Sequence, residues 1–255
     1  MHWVVQNNLF NERGFHELMQ VLERGGIPHT LVKVIPFDGG VEPAVDVAGP
    51  VIVMGSLTLT RYALRRGWTP GAFINENFDF QVWREHLGEH LLNADAQVYR
   101  FADVPAQQGP FFIRPCQDDK SFSGMVMGWE EFATWRQEVL ALQGDSTVRA
   151  DTRVAVSAPK PIQREYRMVI VDGRFITGTR YKLGDRVASS PEVEPEVQDF
   201  AQAMADRWSP ARAYALDIFM HDGGLYVGEI NNLNSAGFYA YDVGKMVAAI
   251  EAMAF

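Results

Sequence analysis

The sequence has a single cysteine, Cys116, in 255 residues, so no disulfide can form within the chain. It contains no apolar run near the roughly 20 residues that a membrane-spanning helix needs. The N-terminus lacks a basic stretch followed by an apolar one, so we expect no secretion signal and a cytoplasmic protein. The 23 basic residues are outnumbered by 32 acidic ones, and the net charge of −9 argues against a broad nucleic-acid-binding surface.

The composition, with 47% apolar residues, is that of a globular protein long enough to bury a sizeable core. Residues 1–94 alternate as strand, helix, strand, strand and helix, which predicts a small open α/β lobe on a largely parallel sheet. In residues 95–255 hairpins are as common as helices, which predicts an α+β unit with antiparallel sheets. We therefore expect two intimately joined lobes.

The most informative segment is 214–232, which is predicted to form a β-hairpin around Asp222-Gly223-Gly224. A three-residue loop puts Asp217 directly across from Glu229, with Asn231 on the same face. Oxygen ligands of this kind suit Mg²⁺ that is shared with phosphates. A solvated outer surface is the alternative interpretation. The opposite face is predicted to pack on the core and carries apolar residues: Ile218, Met220, Tyr226 and Ile230.

A polar loop of small residues follows a predicted buried strand that ends at Arg114, and Lys120 lies within it. Such a loop can turn backbone N–H groups toward an anion while the lysine supplies positive charge. The spacing is not that of a Walker loop. A solvated turn with an exposed lysine is the alternative.

Glu165 and Arg167 are predicted to share one face of a strand, where the carboxylate can accept hydrogen bonds from ribose hydroxyls. The short strand 154–157 before them is predicted to be an edge that offers backbone groups to a flat heterocycle. Farther on, Arg180 and Lys182 are predicted to lie on one face, where like charges favour an anion between them. Solvated charged side chains are the alternative in both places.

Other residues carry weaker signals. Cys116 has no surrounding signature of a catalytic nucleophile. His86 and His90 match the inverted H-x-x-E-H zinc pattern, but Gly88 between them is a poor residue for a rigid metal-binding helix. Polar residues in loops and at strand ends are candidate substrate contacts or ordinary loop residues: Asn7, Asn8, Ser56, Thr58, Asn234 and Ser235.

Taken in chain order, these motifs resemble the ATP-grasp superfamily, and within it the clade whose name abbreviates two arginines and a lysine. The likeness covers roughly 95–255, and the residues before it resemble the α/β lobe that commonly precedes an ATP-grasp fold. The matching motifs are R-P with a following lysine, E-Y-R, R-Y-K, an aspartate on a strand, and E-x-N: Arg114, Pro115 and Lys120; Glu165, Tyr166 and Arg167; Arg180, Tyr181 and Lys182; Asp217; Glu229 and Asn231.

The resemblance implies that ATP is held between two α+β lobes. Lys120 would bind the phosphates and Glu165 the ribose, and Arg114 and Arg167 would be further nucleotide-binding residues. The adenine would rest on backbone at Val154, Val156 and Ser157. One or two Mg²⁺ ions would be held by Asp217, Glu229 and Asn231, and Arg180 and Lys182 would stabilise the transferring phosphoryl group.

The function implied is an ATP- and Mg²⁺-dependent ligase that joins a carboxylate to an amine or thiol through an acylphosphate. Its substrate would be a small molecule, a peptide or a protein terminus that carries a carboxylate. Three alternatives stay open at this point: a phosphotransferase, an ATP-binding regulatory module without turnover, and an interaction domain that binds a divalent cation without ATP.

Overall fold

The computed structural model describes residues 1–7, 13–36, 39–142 and 146–254. Its first sheet has the order β3-β2-β1-β4-β5 and is parallel apart from β3. This arrangement agrees with the predicted open α/β lobe. The strands are β1 (His2–Gln6), β2 (His29–Val34), β3 (Val41–Glu42), β4 (Val51–Met54) and β5 (Pro70–Gly71).

Three α-helices belong to this first part of the chain: α1 (Arg13–Arg24), α2 (Leu57–Arg65) and α3 (Phe80–Leu87). The side chain of Ser56 caps the N-terminus of α2. Helix α3 begins after Asp79, whose carboxylate accepts the N–H of Gln81 and caps the helix.

A four-stranded antiparallel sheet follows in the order β6-β9-β7-β8. Helix α4 (Trp129–Ala141) packs Phe132 against Phe101 and Phe111, and these rings meet edge to face. This aromatic core holds the sheet and helix together as one lobe. The strands are β6 (Gln97–Arg100), β7 (Phe111–Pro115), β8 (Met125–Met127) and β9 (Arg153–Ser157).

A second antiparallel sheet of five strands has the order β12-β11-β10-β13-β14. One of its faces packs on α5 (Pro195–Arg207) and α6 (Val243–Glu251). The strands are β10 (Arg164–Val171), β11 (Arg174–Leu183), β12 (Arg186–Ser190), β13 (Ala213–His221) and β14 (Gly224–Asn232).

The first sheet and the last helix share one hydrophobic core. Trp3 of β1 packs in the same cluster as Val169 of β10 and Ile250 of α6, and its indole N–H donates to Glu251 at 2.7 Å. The first sheet and the five-stranded sheet are thereby fixed to each other. Within the described residues, none of the helices combines the length and apolar character needed to cross a membrane.

Candidate active site

A cleft of about 970 Å³ opens between the two antiparallel sheets, and the first lobe closes one end of it with Ser56 and Leu57. This is the size range of sites that bind small molecules and cofactors. Charged and polar side chains from four strands and one loop converge on it: Arg114, Lys120, Glu165, Arg167, Lys182, Glu229 and Asn231.

The predicted pairing of Asp217 with Glu229 is confirmed, but the hairpin reaches it by another route. The loop has two residues, Asp222 and Gly223, and both adopt positive φ, as a type I′ turn requires. A bulge then adds one residue, Gly228, to β14 between the pairs Ile218–Val227 and Asp217–Glu229. The shorter turn and the bulge cancel each other.

The bulge changes the face of residues between it and the turn. Tyr226 was expected in the core beside Ile218, but it pairs with Phe219, and Val227 takes the core position. Gly228 itself has no room for a side chain, because a Cβ there would meet the ring of Phe219. Its carbonyl accepts a hydrogen bond from Arg114 Nη1 at 3.1 Å.

Asp217 is almost fully buried directly behind the cleft and binds Arg167 with both carboxylate oxygens, at 2.8 and 2.7 Å. Asn231 Nδ2 donates to the same carboxylate at 3.2 Å. Burial opposes the charge of Arg167, yet the carboxylate beside it keeps the pKa of this guanidinium raised. The pair therefore anchors β10 to β13 at the floor of the cleft.

Glu229 faces the cleft and pairs with Arg114, whose Nη2 lies 3.1 Å from its Oε1. The guanidinium of Arg114 also lies over the ring of Trp83, 4.9 Å from its centroid. Burial raises the pKa of Glu229, but Arg114 and Lys120 outweigh burial and hold it below its usual range. The group is thus an anion prepared for cationic or metal partners.

Lys120 adopts positive φ in the polar loop, and this turns its side chain inward. Its Nζ lies 2.7 Å from Asn231 Oδ1 and 2.6 Å from Asp118 Oδ1. Asp118 is buried and also accepts the N–H of Asn232 at 3.0 Å. Burial raises the pKa of Asp118, and Lys120 counters that shift. Sequence reasoning missed Asp118, although it lies two residues before the lysine in the same loop.

The prediction that Arg180 and Lys182 share a face is wrong. A bulge at Tyr181 separates the pairs Glu165–Lys182 and Tyr166–Arg180, so the two basic residues point to opposite faces. Lys182 Nζ faces the cleft and lies 2.7 Å from Glu165. Arg180 instead binds Glu194 at 3.4 Å and is not among the cleft-lining residues, so a role for it in phosphoryl transfer stays a prediction.

The bulged residue Tyr181 packs against Tyr239, which lines the cleft. Its ring lies 5.0 Å from that of Tyr239, and Arg167 sits over Tyr239 at 4.4 Å. Arg167 also donates to the carbonyl of Ala236. These aromatic partners were missed, because a bulge cannot be located from alternation of residue types alone.

The strand that was expected to offer an edge to the adenine is an interior strand. β9 pairs with β6 on one side and β7 on the other, so the backbone of Val154 and Val156 is occupied. Both side chains lie in the core of the four-stranded lobe, and Ser157 donates to Asn93. This end of the cleft is lined instead by residues that sequence reasoning missed: Leu92, Asn93, Phe112, Lys160, Ile162 and Phe219.

Some of the polar residues that were named as candidate substrate contacts line the cleft, and others do not. Ser56 and Ser235 line the cleft, whereas Asn234 is buried and holds the first lobe through Phe73 N–H and Val53 C=O. Asn8 lies outside the described residues.

His86 stacks on Trp208, and the described residues contain no cluster of three His, Cys, Asp or Glu side chains suited to a metal. Burial raises the pKa of the Cys116 thiol to about 12, which leaves it unreactive.

The donor set of Asp217, Glu229 and Asn231 fits Mg²⁺ in its chemistry, because it consists of two carboxylates and an amide oxygen on neighbouring positions of one sheet face. Each donor is held by a cation at present: Asp217 by Arg167, Glu229 by Arg114 and Asn231 by Lys120. Glu229 and Asn231 line the cleft, and Asp217 lies buried behind it, so a cation that enters the cleft with a polyanion meets Glu229 and Asn231 first.

A family profile matches residues 29–250, and it describes the ATP-grasp domain of family 3 in the clade named for two arginines and a lysine. The chain belongs to this ATP-grasp family. The match confirms the superfamily and clade that the five ordered motifs indicate, and it extends well into the first lobe. None of the curated proteins matches the sequence.

Solved structures with the same fold are distant in sequence. D-cycloserine synthetase DcsG has a TM-score of 0.60 at 11% identity, over 98% of this chain and 99% of that one. The D-alanine–D-alanine ligase of Bacillus anthracis complexed with ATP has a TM-score of 0.57 at 13% identity, over 91% and 86%. The ATP-grasp ligase PsnB, complexed with a phosphomimetic variant of its minimal precursor, Mg and ADP, has a TM-score of 0.56 at 14% identity, over 98% and 97%. The ATP-grasp fold is thus confirmed.

Proposed function

We propose that the protein is an ATP- and Mg²⁺-dependent ligase that forms an amide bond between a carboxylate and an amine. The observation that carries the proposal is the convergence of Lys120, Arg114 and Lys182 with Glu229 and Asn231 in one cleft. Basic groups beside a divalent-cation donor set match the charge of a metal-bound triphosphate. Ligases of this fold that have been solved with ATP, or with Mg and ADP, support the same interpretation.

Each residue has a proposed task. Lys120 and Arg114 bind the phosphates, and Glu165, kept in position by Lys182, accepts hydrogen bonds from ribose. The nucleobase lies at the end lined by Ile162 and Phe219 rather than along β9. A Mg²⁺ ion held by the donor set of Asp217, Glu229 and Asn231 would neutralise charge on the transferring phosphoryl group.

In the proposed reaction a carboxylate oxygen of the first substrate attacks the γ-phosphorus of ATP, and ADP leaves with the electron pair of the broken P–O bond. The second substrate, as a free amine, attacks the acyl carbon. The C–N bond forms, phosphate leaves with the C–O electron pair, and the amine proton passes to solvent. No nucleophilic side chain is required, which agrees with the unreactive Cys116. We place this reaction in the cytoplasm.

Calorimetric titration with ATP and Mg²⁺, followed by ADP release with a panel of carboxylates and amines, tests the proposal. We expect ATP binding that depends on Mg²⁺, and ADP release only when both substrates are present. Lys120→Ala should weaken ATP binding, and Glu229→Ala should abolish turnover with a smaller effect on folding.

The outcomes separate the competing functions. ADP release with a carboxylate alone and no amide product indicates a phosphotransferase, and ATP binding without ADP release indicates a regulatory module. Absence of ATP binding would sink the proposal. Full activity of Glu229→Ala would show that the metal assignment is wrong.

A further inference from the structure

A second, smaller cavity of about 230 Å³ lies beside the cleft, between α2 of the first lobe and the segment 74–79. We call it the annex. Leu57, Gln117 and Asp118 line both spaces, so the annex adjoins the cleft near Lys120 rather than at the nucleobase end. Its volume is below the roughly 300 Å³ at which sites for drug-sized ligands begin. A ligand that fits the annex is therefore the size of a single small metabolite.

The annex is lined by charges of both signs. Arg61 of α2, Glu76 and Asp119 contribute their side chains to it. Within the described residues Arg61 and Glu76 make no hydrogen bond or ion pair, with each other or with another group, and Asp119 accepts only the N–H of Ser121. A guanidinium and carboxylates that line one small cavity without pairing suit a ligand that carries both a carboxylate and an ammonium group.

The other two acids that line the annex differ from these. Asp79 is bound by Arg153 and by the N–H of Gln81, and Asp118 is bound by Lys120 and the N–H of Asn232. Asp79 and Asp118 are thus each neutralised by a cation, which leaves Glu76 and Asp119 as the annex carboxylates without an ion pair. An ammonium group is attracted to these two carboxylates, whereas a free carboxylate is repelled by them.

We propose that the annex binds the amine substrate and that this substrate is a free α-amino acid. Its carboxylate pairs with Arg61, and its amino group lies beside Glu76 and Asp119, the latter next in the chain to Asp118, which lines both the annex and the cleft. This inference rests on the proposed ligase function, because it names the second substrate of the same reaction. It is decided by Arg61 and Glu76 of the first lobe together with Asp119 of the polar loop, which differ in position from the proposed nucleotide-binding residues.

The test uses the whole protein and three sets of probes: the standard amino acids, their α-amides and their N-acetyl derivatives. Binding is measured by calorimetry, and ADP release is measured with saturating ATP, Mg²⁺ and a carboxylate panel. We expect free amino acids to bind, α-amides to bind about tenfold more weakly and N-acetyl derivatives not to bind. Arg61→Gln should remove the preference for free acid over α-amide, and Glu76→Gln with Asp119→Asn should weaken both.

Two exposed residues elsewhere provide charge-matched controls, Arg149→Gln and Glu85→Gln, and both should behave as the wild type. ATP affinity should be the same in all variants. Equal response to free and N-acetylated amino acids, or unchanged amino-acid binding in the annex variants, overturns the inference. If ADP is released with a non-amino-acid amine and the annex variants have no effect, the ligase function stands and the inference falls. If amino acids bind through Arg61 but ATP does not bind, the annex stands and the ligase function falls.

Discussion

Two bulges in the same antiparallel sheet have opposite consequences for the predicted site. The bulge at Gly228 in β14 restores the pairing of Asp217 with Glu229 that a two-residue turn would have shifted by one position. The bulge at Tyr181 in β11 separates Arg180 from Lys182 and turns them to opposite faces. Since side chains alternate along a strand, one extra residue decides which face receives each group.

Arg167 lies on β10, between the two bulged strands, and interacts with residues beside both bulges. It binds Asp217 on the β13 side and lies over Tyr239, which packs against Tyr181 on the β11 side. The two bulges thus position residues on opposite sides of the Arg167 guanidinium. A polar partner lies on one side of this guanidinium, and aromatic partners lie on the other.

The largest effect is expected for Arg167→Met, which leaves Asp217 buried without its cation. Removing one member of a buried ion pair costs about 3–5 kcal/mol of unfolding free energy. Chemical denaturation measures it. Arg212→Met is the matched control, because the Arg212–Asp172 pair has similar geometry but is exposed, and it should cost less than about 1 kcal/mol. Similar losses in both variants would contradict the anchoring role of Arg167.

The next effect tests the bulge in β14. Gly228→Ala puts a methyl group against the Phe219 ring, and the crowding should cost about 1–3 kcal/mol of unfolding free energy. Mg²⁺-dependent nucleotide affinity should fall as well, because Glu229 and Asn231 follow the bulge. Gly128→Ala is the control, since a Cβ there meets nothing within 4 Å. A Gly228→Ala protein that keeps wild-type stability and affinity would show that the bulge does not need glycine.

The bulge in β11 predicts different results for the two basic residues that flank it. Lys182→Met should lower ADP release by about tenfold or more, because it frees Glu165 and removes a cation from the cleft. Arg180→Met should leave nucleotide affinity within about twofold, and its lost pair with Glu194 is worth only about 0–1 kcal/mol. Calorimetry and ADP release are the measurements. A loss of activity in Arg180→Met larger than that in Lys182→Met would support the predicted role of Arg180 in stabilising the transferring phosphoryl group.

The smallest effect concerns Cys116, which packs in the same core cluster as Ile218 and Val227 beside the first bulge. With a pKa raised by burial to about 12, the thiol should remain unlabelled by a thiol reagent at neutral pH and react after denaturation. Mass spectrometry follows the labelling. We expect faster labelling of Cys116 in Gly228→Ala and no change in Arg180→Met. Equal labelling rates in the two variants would show that the bulge in β14 does not affect the packing around Cys116.

The order of motifs along the chain determined the family, the two antiparallel sheets and most charged residues of the cleft. Residue types that alternate or repeat with helical spacing are local properties, so strands such as β9 and β10 could be predicted from neighbouring residues. The D-G turn belongs to the same class, whereas Asp217 pairs with Glu229 only because the shorter turn and the bulge in β14 cancel. Lys120, Glu165 and Lys182 were also identified in this way, and all three line the cleft.

Tertiary structure alone decided which face received Arg180 and Tyr226, and which strand formed an edge. A bulge depends on the partner strand, and an interior strand such as β9 depends on two neighbours, one of them more than fifty residues away in β6. The annex has the same origin, because Arg61, Glu76 and Asp119 meet only when the first lobe packs on the four-stranded lobe. These are long-range contacts, and no local pattern of residues encodes them.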